Sequence, residues 1–80
     1  MKANVIVKLK SAVHDPQGET IGHALAGLGF DKVTSVRQGK FFELTLDVES
    51  KEEAETIARE IAQRVLSNPV LEVFDVEVEA

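Results

Sequence analysis

The chain has no cysteine, which excludes a disulfide staple, a thiolate metal site and a thiol nucleophile, and suits a reducing compartment. It is also poor in positive charge: nine Lys and Arg stand against fourteen Asp and Glu, a formal net charge of −5. Affinity for a phosphate backbone rests on clustered cations that release counterions, so no nucleic-acid partner is expected. No apolar run approaches the roughly 20 residues a membrane span requires. Met1-Lys2 leads into a strand pattern and not a signal-peptide core. A cytoplasmic protein with no membrane partner is therefore expected. What is present is a balance of 44% hydrophobic and 29% charged residues over 80 positions, which suits one folded domain, residues 1–80, rather than a disordered tail. A chain this short buries only about 60 to 65% of its unfolded surface, so its core is thin.

Ala3 to Lys10 alternates, with Val5, Val7 and Leu9 on one face and Asn4, Lys8 and Lys10 on the other, and reads as a strand. Asp15-Pro16-Gln17-Gly18 is a helix start: the aspartate can accept a first-turn amide, and proline suits the first helical position. Ile21, Ala24, Leu25 and Leu28 follow at core-facing spacing, and Gly29 is placed to stop the helix, letting Phe30 fold back on Leu25. Val33 to Val48 is long for one strand and carries Gln38-Gly39-Lys40 near its middle. The spacing favours a hairpin over a single bent strand, with Phe42, Leu44, Leu46 and Val48 inward. Ser50-Lys51-Glu52-Glu53 is a capping box opening a second helix. Its buried stripe is predicted as Ala54, Ile57, Ala58, Ile61, Ala62 and Val65, with Glu55–Arg59 and Glu60–Arg64 paired on the wet side. Asn68-Pro69 ends that helix, and Val70 to Glu79 forms the last strand with Phe74, Val76 and Val78 inward.

The predicted order is β-α-β-β-α-β: an α+β, two-layer, ferredoxin-like domain whose antiparallel sheet carries both helices on one face. Strict alternation then leaves Ile6, Phe41 and Val73 on the uncovered face. Small domains without disulfide or metal gain stability by association, so these three residues are the candidate face of a homo-oligomer.

Candidate chemistry is sparse. His14 and His23 are nine residues apart without zinc-ligand spacing. Ser11, Ser35, Ser50 and Ser67 fall at turns and caps, with no nucleophile elbow. Gly22, Gly27 and Gly29 precede no Walker lysine. Arg37-Gln38-Gly39-Lys40 puts two cations at the expected hairpin tip, where they could meet a phosphate or an acidic partner or merely be solvated. The carboxylates of Glu52, Glu53, Glu55 and the last strand lie on wet faces. No catalytic, cofactor-binding or metal-binding residue is assigned.

Taken in order, Asp15-Pro16-Gln17-Gly18, then Arg37-Gln38-Gly39-Lys40 with Phe41-Phe42-Glu43-Leu44, then Leu66-Ser67-Asn68-Pro69-Val70-Leu71-Glu72 resemble the PurS family of phosphoribosylformylglycinamidine synthase subunits. The likeness spans nearly the whole chain. It implies a non-catalytic accessory subunit in de novo purine biosynthesis that bridges a glutaminase, PurQ, and an ATP-dependent synthetase, PurL, for ammonia transfer. It also implies a homodimer or dimer of dimers, and ATP and magnesium in the large partner subunit but no cofactor in this chain. On that resemblance Arg37, Gly39 and Lys40 become candidate partner contacts, while Asp15, Pro16, Gly18, Asn68 and Pro69 remain chiefly helix caps and loop formers. Two other readings share the β-α-β-β-α-β order: an ACT-like small-molecule-binding regulatory module, and an acylphosphatase-type enzyme. The second lacks the phosphate-cradling loop with its arginine near the first strand.

Overall fold

A computed structural model describes residues 1–79. Strand β1 (Lys2–Leu9) lies at the centre of a sheet of order β2-β1-β3, flanked by β2 (Gly39–Thr45) and β3 (Glu72–Glu79), both antiparallel to it. Helix α1 (Pro16–Gly27) follows β1, and helix α2 (Lys51–Ile61) follows β2 and runs on into a π-turn, Ala62–Leu66. The α+β class with an antiparallel sheet holds.

The inner face is built as the alternation requires. Ala3, Val5 and Val7 of β1 are fully buried, as are Ala54 and Ala58 of α2 and Ala62 at the start of the π-turn. Phe42, Leu44 and Leu46 on one side, and Phe74, Val76 and Val78 on the other, pack around that centre half-buried. The register sets Val5 between Phe42 and Val76, and Val7 opposite Phe74. The alanine spacing of 54, 58 and 62 lets α2 lie close against β1 and β3, since residues four apart share one helix face. Met1 extends the pairing with β2, exchanging two backbone hydrogen bonds with Leu46 at 2.9 and 2.7 Å.

Three expectations need correction. First, the hairpin is absent among the described residues: Gly39 and Lys40 open β2, paired with Lys8 and Val7, and Val33–Gln38 belongs to no strand. The Gln38 amide donates to the Asp15 carboxylate at 2.7 Å, so that backbone is committed to a side chain and not to a ladder. Among the described residues the sheet therefore has three strands where four were expected. Second, only α2 packs closely on the sheet: α1 makes at most marginal contact with any strand and buries only Gly18. Third, Val65 is 75% exposed, and Leu66 packs on the core instead. The wider π-turn inserts one residue into the spacing, so the core-facing position moves from 65 to 66.

Both helix starts are capped where read, by Asp15 and by the serine of the capping box. Asp15 has extended geometry before Pro16 and accepts the Gly18 amide at 2.9 Å. Ser50 accepts the Glu53 amide at 3.3 Å. Helix α1 closes with Phe30 N–H donating to the Leu25 carbonyl and Gly29 N–H to that of Ala26, around Gly29 at φ +94°, a backbone region where glycine carries no Cβ penalty. After the π-turn, the Ser67 hydroxyl and amide both donate to the Ala62 carbonyl, and Asn68-Pro69 follows as the stop.

Candidate functional site

The three stretches that carry the family resemblance lie far apart in sequence and converge at one end of the sheet. At their centre is Asp15, 6% exposed. One carboxylate oxygen accepts the Gly18 amide and caps α1; the other accepts the Gln38 amide, 23 residues away, and fixes the entry to β2. These two backbone N–H groups are the main reason its carboxyl is held below the ordinary carboxylate pKa, and the nearby Arg37 guanidinium adds to them against the opposing effect of burial.

Around Asp15 the backbones approach so closely that a Cβ on Gly18 would run into the Val36 carbonyl oxygen. The Gln38 side-chain amide donates to Gln17 Oε1 at 2.6 Å. Arg37 donates through Nη2 to the Lys10 and Val13 carbonyls at 3.0 and 2.8 Å, stapling the β1–α1 loop to the segment before β2. Arg37 is thus a structural brace and not a cation at a hairpin tip. Gly39 sits where a Cβ would be 2.7 Å from the Val7 carbonyl oxygen, so its absence of side chain is spent on the β1–β2 crossing.

Lys40 joins the third stretch. Its Nζ lies 3.5 Å from Glu72 Oε2, and the other Glu72 oxygen accepts the Asn68 amide at 2.7 Å. Asn68 in turn accepts the Glu72 amide on its carbonyl and the Val70 amide on Oδ1, so Asn68-Pro69 forms a turn that delivers the chain into β3. The Lys40 side chain is still 60% exposed and can meet a partner. Sequence reasoning found each stretch but not their union.

The outer face of the sheet holds the other candidates. Ile6 and Phe41 stand directly opposite each other, and Val73 lies diagonally across β1 from Ile6, opposite Lys8. All three are exposed, Phe41 most. Charge is uneven across the patch: Lys8, Lys10 and Arg37 line a broad recess beside Val73, while Asp75, Glu77, Glu79 and Glu43, the last paired with Lys2 at 3.5 Å, occupy the outer face toward the other end. Such an arrangement provides an apolar centre with charged flanks suited to protein contact.

A shallow groove of about 400 Å³ lies between α1 and the Val33–Arg37 segment. His14 and His23 sit at its rim, 3.0 and 4.0 Å from the two oxygens of Glu19, and their side chains are mostly exposed. Among the described residues no group of three His, Cys, Asp or Glu is placed to hold a metal ion, and no helix is long and apolar enough to cross a membrane. Ser50 and Ser67 spend their hydroxyls on helix ends.

Comparison with known proteins places this geometry among close relatives. The family model described as PurS, phosphoribosylformylglycinamidine (FGAM) synthase, matches residues 2–80. The chain is 38% identical over 78 residues to the phosphoribosylformylglycinamidine synthase subunit PurS of Bacillus subtilis, covering 98% of this chain and 92% of that one. It superposes on the crystal structure of Methanocaldococcus jannaschii PurS with a TM-score of 0.87 at 37% identity, over 98% of this chain and 94% of that one. A chain in the structure of PurLQS from Thermotoga maritima matches with a TM-score of 0.86 at 36% identity, over 95% of this chain and 93% of that one.

Proposed function

The chain belongs to the PurS family, the accessory subunits of the FGAM synthase ligase of purine biosynthesis, and on that premise we propose that it joins the two catalytic partners of that complex. It bridges a PurQ-type glutaminase and a PurL-type ATP-dependent synthetase so that ammonia passes from one to the other. The observation that carries this reading is the match, over nearly its whole length, to a chain of the PurLQS structure from Thermotoga maritima. ATP and magnesium belong to the large subunit, this chain takes no cofactor, and the complex works in the cytoplasm.

The same reading assigns surfaces. Ile6, Phe41 and Val73 form an apolar face that a protein neighbour covers in a homodimer or dimer of dimers. Lys40, exposed beyond its pairing with Glu72, is a contact to a partner subunit; Arg37 and Gly39 support it by fixing the loop from which β2 departs.

Reconstitution tests the role directly. With the synthetase and glutaminase held constant, omitting this chain abolishes glutamine-dependent amidation and largely spares amidation driven by added ammonia. Equal loss of both activities contradicts a bridging role. A solitary chain that turns over substrate contradicts an accessory one.

A further inference from the structure

Positive charge is scarce in this chain and unevenly spent. Of the nine Lys and Arg, Lys2, Lys40, Arg59 and Arg64 each lie within 3.5 Å of a carboxylate. Of the five others, Lys8, Lys10 and Arg37 gather around one recess, and no Asp or Glu lines it. Grouped cations repel one another unless an anion offsets them. In a chain of net charge −5, this recess is therefore a place where a small anion is held more favourably than elsewhere on the surface.

The recess stands on fixed backbone. The Lys10 N–H donates to the Leu71 carbonyl at 2.9 Å, tying the end of β1 to the entry of β3, and the Val13 N–H donates to the Lys10 carbonyl at 2.9 Å, closing a turn over Lys10–Val13. Arg37 then donates to the carbonyls at both ends of that turn through Nη2 alone. A guanidinium has five N–H donors, so Nη1 and Nε keep theirs for a ligand. The charge is also anchored in advance, which lowers the ordering cost that a freely moving cation bears on binding. The turn leaves the Ser11 and Ala12 amides outside its closing bond. The Asp15 carboxylate near Arg37 does not fill the role of the anion: its two oxygens are taken by the Gly18 and Gln38 amides, and it lines the grooves beside α1 and β2 instead of this recess.

Size and lining narrow the ligand. The volume is about 690 Å³, within the roughly 300–1,000 Å³ of small-molecule sites. Ser11 adds a hydroxyl, and Ala12 and Val73 add apolar surface. A lone carboxylate brings one charge to three cations. A phosphate monoester brings nearly two, with three acceptor oxygens suited to a guanidinium. We propose that this recess binds a small organic phosphate monoester, such as a nucleoside monophosphate, with its phosphate held by Lys8, Lys10 and Arg37 and its organic body along Ala12 and Val73. The ligand is an effector and takes no part in the ligase chemistry. The site needs only this chain, so it does not rest on the bridging role.

A nuclear magnetic resonance titration of the isotope-labelled full chain at constant ionic strength tests the site. Adenosine monophosphate should shift the amides of Lys10, Ser11, Ala12 and Arg37 saturably, with a Kd below about 1 mM, and adenosine should not. Inorganic phosphate should reach the same amides about tenfold more weakly. The double variant Lys8→Gln/Lys10→Gln, at two exposed positions, should weaken nucleotide binding about tenfold or more with thermal melting unchanged. Lys51→Gln, at the start of α2 and outside the recess, should bind as the parent does. Absence of saturable shifts, or shifts that persist in the double variant, overturns the site. Inorganic phosphate that binds as tightly as the nucleotide overturns the organic ligand. A glutamate-rich peptide that binds there where the nucleotide does not overturns the proposal in favour of an acidic segment of a partner protein. No partner is present in the titration, so each of these failures leaves the bridging reading standing.

Discussion

Helices α1 and α2 are nearly the same length and both carry an apolar stripe, yet only one joins the core. Helix α2, with the π-turn that continues it, puts Ala54, Ala58 and Ala62 at zero exposure where the helix packs on β1 and β3, and its cap is purely local, Ser50 to Glu53. Helix α1 buries only Gly18, and its capping carboxylate is shared with a strand entry 23 residues away. The periodicity of a helix states that one face needs burial. Where that face is buried depends on what its ends are tied to. A local cap leaves the helix free to fall onto the nearest sheet, whereas a shared cap fixes its direction first.

The largest expected effect separates the two stripes. Ala58→Asp places a charge at a fully buried site with no partner, a change on the order of 3–5 kcal/mol that removes the cooperative thermal transition. Ala24→Asp on the exposed side of α1 leaves it in place. Comparable loss from both variants would mean that α1 is packed as deeply as α2.

Next is the clamp. Gly18→Ala drives a Cβ into the Val36 carbonyl, and overpacking of this kind costs about 1–3 kcal/mol, a fall in Tm of roughly 5 °C or more. An unchanged Tm would show that α1 and the Val36 segment part easily.

A smaller effect follows pH. Because the Asp15 pKa is lowered in the folded protein, its contribution is fully present above the unfolded carboxylate range and is lost as pH falls through and below that range. Urea midpoints for the parent should therefore decline toward acid more steeply than those of Asp15→Asn. Parallel curves would remove Asp15 from the account.

The smallest effect concerns the π-turn. Val65→Lys, at an exposed position, should shift stability by no more than about 0.5 kcal/mol, while Leu66→Lys, on the core, should be clearly damaging. The reverse ranking would restore the regular helical spacing.

Much of this was legible in the residues. The alternation of Val5 and Val7, of Phe42, Leu44 and Leu46, and of Phe74, Val76 and Val78 set the inner face correctly. Asp15 and Ser50 marked both helix starts. Errors arose where a long-range contact overrode a local rule. Gln38-Gly39-Lys40 has turn chemistry, but Asp15 takes the Gln38 amide and the turn never forms. Arg37 looked like a free cation because nothing in the sequence shows the Lys10 and Val13 carbonyls it binds. Val65 fits an ideal stripe, and only the π-turn moves it out. The family resemblance was readable because its three stretches are contiguous; their convergence through Asp15–Gln38 and Lys40–Glu72 was not, since each pairing joins positions more than twenty residues apart.

The central claim is that this polypeptide is not finished alone and exists to be assembled. Sedimentation equilibrium of the purified chain near 10 µM, a concentration well within the range of stable protein association, tests it most directly. The account expects species at twice the 8.7 kDa chain mass or a higher multiple; a single 8.7 kDa species that unfolds cooperatively, with a Tm independent of concentration, would contradict it.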